Sequence, residues 1–429
     1  MVRGVTARTV SLPGAPPIVV GRLDVGAPRT IGIYAHYDGQ PAGTGNWHSP
    51  PWSPTLMDGD HVRAFPRDGE VVDPQWRIYA RSAGDDKAPI GALLAVLDAF
   101  RSRNVKPTSN LVFLFEGEEE AGSPHLGAYF TAHRDLFTGI DQWLIFDGPV
   151  HQSGRPQVVF GVRGVTSLQL TVYGANRPLH SGHYGNWAPV PGRLLAQLLA
   201  TMWDDDGRVA IRGFYDHVTP LDSASRAALA ALPDQDAALR AELGLAETEG
   251  TGRIEERLTE PGLTILGLRS ADVGAQTRNV IPTEATAALG MRLVAGNDPE
   301  RLQSLVEDHV RRQGYHVVRE APDSATRAHY ARIARIVRGD GYRAARVPMD
   351  SPGARRVIAA MRRVAGDSLV LLPTLGGSLP LYLFTDTLAT PAIIVPIANH
   401  DDNQHAENEN LRVANLWYGM DVLAALLTM

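Results

Sequence analysis

A chain of 429 residues exceeds what one hydrophobic core usually serves, so two domains are expected. Its 44% hydrophobic and 21% charged content is that of a soluble globular protein, and the formal net charge of −6 argues against nucleic acid or an anionic membrane as main partner. Cysteine is absent, which excludes disulfides and thiolate metal sites; any metal has to be held by His, Asp and Glu.

The opening M-V-R-G-V-T-A-R-T-V lacks the apolar core of a signal peptide, and no later apolar run is long enough to span a bilayer, so a cytoplasmic location is expected. Short β-prone runs such as 18–20 are followed by I-G-I-Y-A at 31–35, a buried strand that ends in His36-Tyr37-Asp38. Residues 46–73, rich in Pro, Gly, Trp and Asp, read as a long ordered loop. Asp85-Asp86 precedes a helix whose apolar positions Ile90, Leu93, Leu94, Leu97 and Phe100 keep helical spacing. One of these aspartates suffices as a cap. Next comes the strand L-V-F-L-F at 111–115, running into Glu116, Glu118, Glu119 and Glu120. A third buried strand, 143–146, ends on Asp147.

His/Asp, Asp/Asp, Glu/Glu and Asp thus stand at the starts or ends of elements, where open α/β sheets bind ligands. Taken singly, each is ordinary surface chemistry. Gathered at one place, so many carboxylates repel one another unless cations lie between them. The pattern points to a carboxylate-rich metal site holding two ions.

From Thr166 the pattern changes to alternation (Leu168, Leu170, Val172), the mark of a half-exposed antiparallel strand. A loop with two histidines follows, Leu179-His180-Ser181-Gly182-His183-Tyr184-Gly185, and then a helix with Leu194, Leu195, Leu198, Leu199 and Met202 on one side. Residues 221–250 read as surface helices without chemistry. Strands are expected at 263–268 and 286–294, a helix capped by Asp298, and a last strand at 315–319. The order β-α-β-β-α-β is that of a ferredoxin-like unit inserted at 166–347, between catalytic segments 1–165 and 348–429. In the last segment a helix covers 353–363, the turn Gly376-Gly377-Ser378-Leu379-Pro380 opens another helix, and a buried strand at 392–397 leads to the histidine-bearing run 399–410. A final helix buries Val413, Leu416, Met420, Leu423 and Leu427.

These stretches together resemble the co-catalytic di-zinc peptidases of the acetylornithine deacetylase, succinyl-diaminopimelate desuccinylase and carboxypeptidase G family, in its carnosinase-like dipeptidase branch. H-Y-D-G-Q-P, G-D-D-K, E-G-E-E-E-A-G-S, L-H-S-G-H-Y-G, N-V-I-P and H-A-E-N-E-N occur in that family's order. Ala88, Arg81-Ser82 and Thr374-Leu375 depart from its usual glycines and charged pair. The resemblance implies an α/β fold: a mixed-sheet, three-layer zinc-peptidase catalytic domain with an inserted ferredoxin-like α+β lid and dimerisation domain. It implies two Zn2+ per subunit, with Mn2+ or Co2+ as alternatives, His36 and Asp147 on one ion, Glu120 and His405 on the other, and Asp85 bridging. His400 is the alternative to His405. Glu119 would be the general base that takes the proton from a water shared by the two zincs, and Asp38 would orient His36. His180 would reach across a homodimer to the oxyanion, and Asn279, Arg292, Gly377 and Ser378 would bind substrate. The implied activity is amide hydrolysis of a small peptide by a dipeptidase. An N-acyl amino acid deacylase or carbamoylase is the alternative on the same site, and a metal-free binding homologue the alternative of another class.

Overall fold

A computed structural model describes residues 4–429; residues 1–3 of the amino-terminal stretch lie outside it. The buried strands form the middle of an eight-stranded mixed sheet. Four parallel strands lie side by side at its centre, in the order Asn110–Glu116, Thr30–His36, Gln142–Ile145, Ala392–Ile394. Ile18–Leu23 and Thr6–Val10 extend it antiparallel on one side, and Gln157–Val159 and Val370–Leu372 complete the other.

Thr30–His36 and Gln142–Ile145 are buried along their whole length because helices cover both faces. On one face Lys87–Ser102, Pro352–Ala365 and Val413–Leu427 bring Leu93, Val96, Val357, Met361, Leu423 and Leu426 onto Ile31, Ile33, Phe113 and Leu144. On the other, Tyr129, Phe130, Phe137 and Phe384 pack around Trp143. Gly32 lies opposite Trp143 in register, and a Cβ there would come within 2.3 Å of the indole, so only glycine fits. The result is three layers. The carboxyl ends of the four central strands share one edge, and His36, Glu116, Asp147 and the run after Ile394 all emerge there.

Residues 46–73 are not simply loop. They contain the hairpin Thr55–Asp58 and His61–Arg63, which joins Arg77–Tyr79 and Asn410–Arg412 in a four-stranded sheet. These strands are only three or four residues long, too short for a periodic signal. Their pairing matters, because Asn410 opposite Tyr79 ties the run before Asp85 to the run after His405.

A second sheet has the order Gly262–Arg269, Glu284–Leu293, Gly164–Tyr173, Ile333–Tyr342, His316–Val318. Helices Pro191–Ala200 and Pro299–Arg312 cover one face through Leu194, Leu195, Leu198, Leu302, Val306 and Val310. Asp298 accepts the Arg301 N–H at 3.0 Å, with Pro299 in the first turn, as expected of a capped start. The last strand needs correction. The segment expected to end the unit is the short outer strand His316–Val318, and the place beside Gly164–Tyr173 is taken by Ile333–Tyr342. Arg335, Arg338, Asp340 and two glycines hide the apolar side of that strand. The turn at 376–380 leads to a π-helical turn, Leu383–Thr387, where a regular helix was expected. Among the described residues no helix is long and apolar enough to cross a membrane.

Candidate metal centre

Two triads of metal-ligating atoms form at the strand-end edge, His36–Asp85–Asp147 and Asp85–Glu120–His405, each with its atoms within 4.8 Å of one another. Asp85 belongs to both. His36 Nε2 lies 2.9 Å from Asp85 Oδ1, and His405 Nε2 lies 3.0 Å from Asp85 Oδ2 and 3.1 Å from Glu120 Oε2. The alternative histidine, His400, is in neither triad.

His36, Glu120 and Asp85 are each held by a further side chain. Asp38 faces His36 Nδ1 at 3.1 Å, leaving Nε2 free for the centre, and its two oxygens also accept the N–H groups of Glu119 (3.3 Å) and Glu120 (3.1 Å). Gln40 donates to Glu120 Oε2 at 2.9 Å, and Gln404 to Asp85 Oδ2 at 2.6 Å. Asp86 does not cap the helix with its side chain; its Oδ2 accepts the His36 N–H at 3.0 Å. The Asp85–Asp86 peptide is cis. Replacing Asp38 by Ala is expected to weaken metal binding about 10- to 100-fold, the usual cost of losing an orienting partner. Competition against a chromogenic chelator measures this, and unchanged affinity would remove Asp38 from that role.

Of the four clustered glutamates, only Glu119 and Glu120 face the centre. Glu116 accepts from the buried Tyr34 hydroxyl at 2.7 Å, and Glu118 pairs with His125 at 2.9 Å. Glu119 stands 3.9 Å from His36 Nε2 but belongs to neither triad.

The electrostatics are those of a site built for cations. Burial, with the Asp147 charge, pushes Glu119 up to about 9, and burial, with the Asp85 charge, pushes Asp147 up to about 7. Burial opposes ionisation of Asp85 too, but hydrogen bonds from His36 and His405 outweigh it and hold that carboxyl below its ordinary value. Burial likewise disfavours a charged His36, yet Asp38 and Asp85 leave its imidazole raised. Burial and like charge thus work against ionising all of these carboxylates together, a cost that bound cations would offset. The donor set of imidazole nitrogens and carboxylate oxygens fits borderline divalent ions.

Two residues that hold the loop were not apparent from the sequence. Glu409, buried, accepts from Arg81 at 2.8 Å and from the N–H groups of Ser82, Gly84 and Asp85 at 2.9, 3.2 and 3.1 Å. Arg81 is buried as well, with its guanidinium 5.0 Å from the centre of the Trp47 ring. The signal was present in H-A-E-N-E-N, whose second glutamate is Glu409.

The remaining expected site residues lie in a small separate ribbon, on the second sheet and in the turn at 376–380. His180 is opposite Val280 in the small ribbon of Leu179–His180 and Val280–Ile281, its Nδ1 accepting the Gly182 N–H at 3.1 Å. Asn279 adjoins it through its carbonyl, which accepts the Ser181 N–H at 3.0 Å. Neither residue belongs to a triad. Arg292 and Ser378 are brought together, with Arg292 Nη1 donating to Ser378 Oγ at 2.5 Å, and the Gly377 carbonyl accepts the Arg163 N–H at 3.2 Å.

Fold and site define a class: a metal-dependent hydrolase with two triads joined by one carboxylate. The profile described as "Peptidase family M20/M25/M40" matches residues 32–429, and the chain belongs to that family. It is a metallopeptidase. It is 28% identical to the Cys-Gly metallodipeptidase of Saccharomyces cerevisiae, over 99% of this chain and 84% of that one. With the human Beta-Ala-His dipeptidase it shares 26% identity over 97% of this chain and 77% of the other. Among solved structures, the M20 family metallo-carboxypeptidase of Sulfolobus solfataricus superposes with a TM-score of 0.79 at 26% identity, covering 99% of this chain and 90% of its own.

Proposed function

We propose that this metallopeptidase is a dipeptidase that uses two zinc ions to hydrolyse the amide bond of a small peptide with a free carboxylate end. The observation that carries this reading is Asp85, shared by two triads while Glu119 stands 3.9 Å from His36 and joins neither. The dipeptidases named above, aligned over nearly the whole chain, support the substrate class. His36 and Asp147 would hold one ion, Glu120 and His405 the other, and Asp85 both. When bound, the pair supplies Lewis acidity toward a water and toward the scissile carbonyl.

Glu119 takes the proton of the attacking water and returns it to the leaving amine. Arg292 and Ser378 receive the carboxylate end, with the backbone at Gly377 beside them, and Asn279 is a further substrate contact. Residues 166–347 act as lid and dimerisation domain, and His180 serves the partner's site as an oxyanion donor. The edge strand Gly262–Arg269 exposes Ile265, Leu266 and Leu268, an apolar border suited to a second copy of the chain.

Dialysis against a chelator is expected to reduce dipeptide turnover by about 10³-fold or more, and zinc or manganese to restore it. Hydrolysis that persists after complete metal removal overturns the reading. A panel of dipeptides beside N-acyl amino acids separates dipeptidase from deacylase or carbamoylase.

A further inference from the structure

Arg292 and Tyr342 lie on the two strands that flank Gly164–Tyr173, and both sit directly opposite Val165. Directly opposed residues of antiparallel strands project from the same face. Met291 and Leu293, the neighbours of Arg292, point into the helix-covered core, so the row Arg292–Val165–Tyr342 leaves the sheet on the other side. Its two ends meet the catalytic half. Arg292 donates to Ser378 Oγ at 2.5 Å, and Tyr342 stacks on Tyr382 with ring centroids 5.1 Å apart and planes 16° from parallel. The Glu119 charge reaches the Tyr342 phenol and raises its pKa. Tyr342 and Arg292 thus leave one face of the sheet side by side, and both meet the segment that carries Ser378 and Tyr382.

We infer that Tyr342 is a specificity-determining residue of the carboxylate end of the site, donating its phenol O–H to the same substrate carboxylate that Arg292 and Ser378 receive, with Tyr382 holding the ring in place. A carboxylate has about four lone-pair positions, so a guanidinium fork leaves room for two hydroxyl donors. Burial pushes the phenol above its ordinary value, Arg292 opposing and Glu119 adding, which keeps it a protonated donor at neutral pH. This inference deepens the dipeptidase reading and rests on it.

The test compares wild type with Tyr342→Phe, which keeps the ring and its stacking and removes only the donor. Substrates are one dipeptide with a free carboxylate and the same dipeptide as its C-terminal amide. Tyr342→Phe should raise KM for the free acid about 10-fold or more, the usual cost of a hydrogen bond to a charged group, with kcat within about 3-fold and the amide unaffected. An unchanged KM for the free acid, or an equal loss on acid and amide, overturns it. Wild type that cleaves no dipeptide would instead overturn the functional reading. Calorimetric titration of the metal-loaded Glu119→Gln protein, with and without Tyr342→Phe, repeats the acid–amide comparison without turnover, so the two failures remain separate.

Discussion

Glu119→Gln is expected to lower kcat by about 10²- to 10⁴-fold, the range for losing a general base, while metal content stays at the wild-type level. Glutamine keeps the volume and polarity of the side chain but cannot take a proton. Glu119 lies outside both triads, so its replacement leaves every proposed ligand atom in place. Its backbone N–H to Asp38 is also untouched, so the turn that carries Glu120 keeps its anchor. Elemental analysis beside steady-state kinetics decides the matter. Loss of metal in step with activity would make Glu119 a ligand and leave the base unassigned.

The second large effect concerns a residue far less conspicuous in sequence. Glu409→Ala leaves the Arg81 guanidinium buried without its carboxylate and deprives three N–H groups of their acceptor. Breaking one side of a buried ion pair costs about 3–5 kcal/mol. Because Asp85 serves both triads, a loosened 81–85 run should weaken binding of both cations together, unlike a change at His405, which reaches one triad only. Urea unfolding of the chelated protein and metal titration measure the two consequences. Stability within about 1 kcal/mol of wild type would show that Glu409 is not the anchor.

What the sequence announced and what it concealed divide along physical lines. The central strands were legible because both their faces are covered, which leaves continuous apolar runs such as 31–35 and 111–115. His36, Glu120 and Asp147 were legible because each stands at or just after the point where such a run stops, whereas Asp85 and His405 were legible only through the motifs that surround them. Thr55–Asp58 and Asn410–Arg412 were not, being too short to show a period, and Ile333–Tyr342 was masked by arginines along a strand that is buried only at its start. Glu409 and Tyr342 share a different reason. Each has its neighbours hundreds or tens of residues away, Arg81 in one case and Arg292 and Tyr382 in the other, and only the folded chain brings them together.

The origin of the two triads along the chain has a consequence for biosynthesis. The three members of the first, His36, Asp85 and Asp147, have all left the ribosome before the second sheet begins at Gly164. The second triad waits for His405, and the central strand Ala392–Ile394 that brings it home is itself inserted between two strands made much earlier. The nascent polypeptide thus carries the members of the first triad through the synthesis of its entire insert, and only the returning tail, which supplies both His405 and the Glu409 that anchors the 81–85 run, can complete either triad.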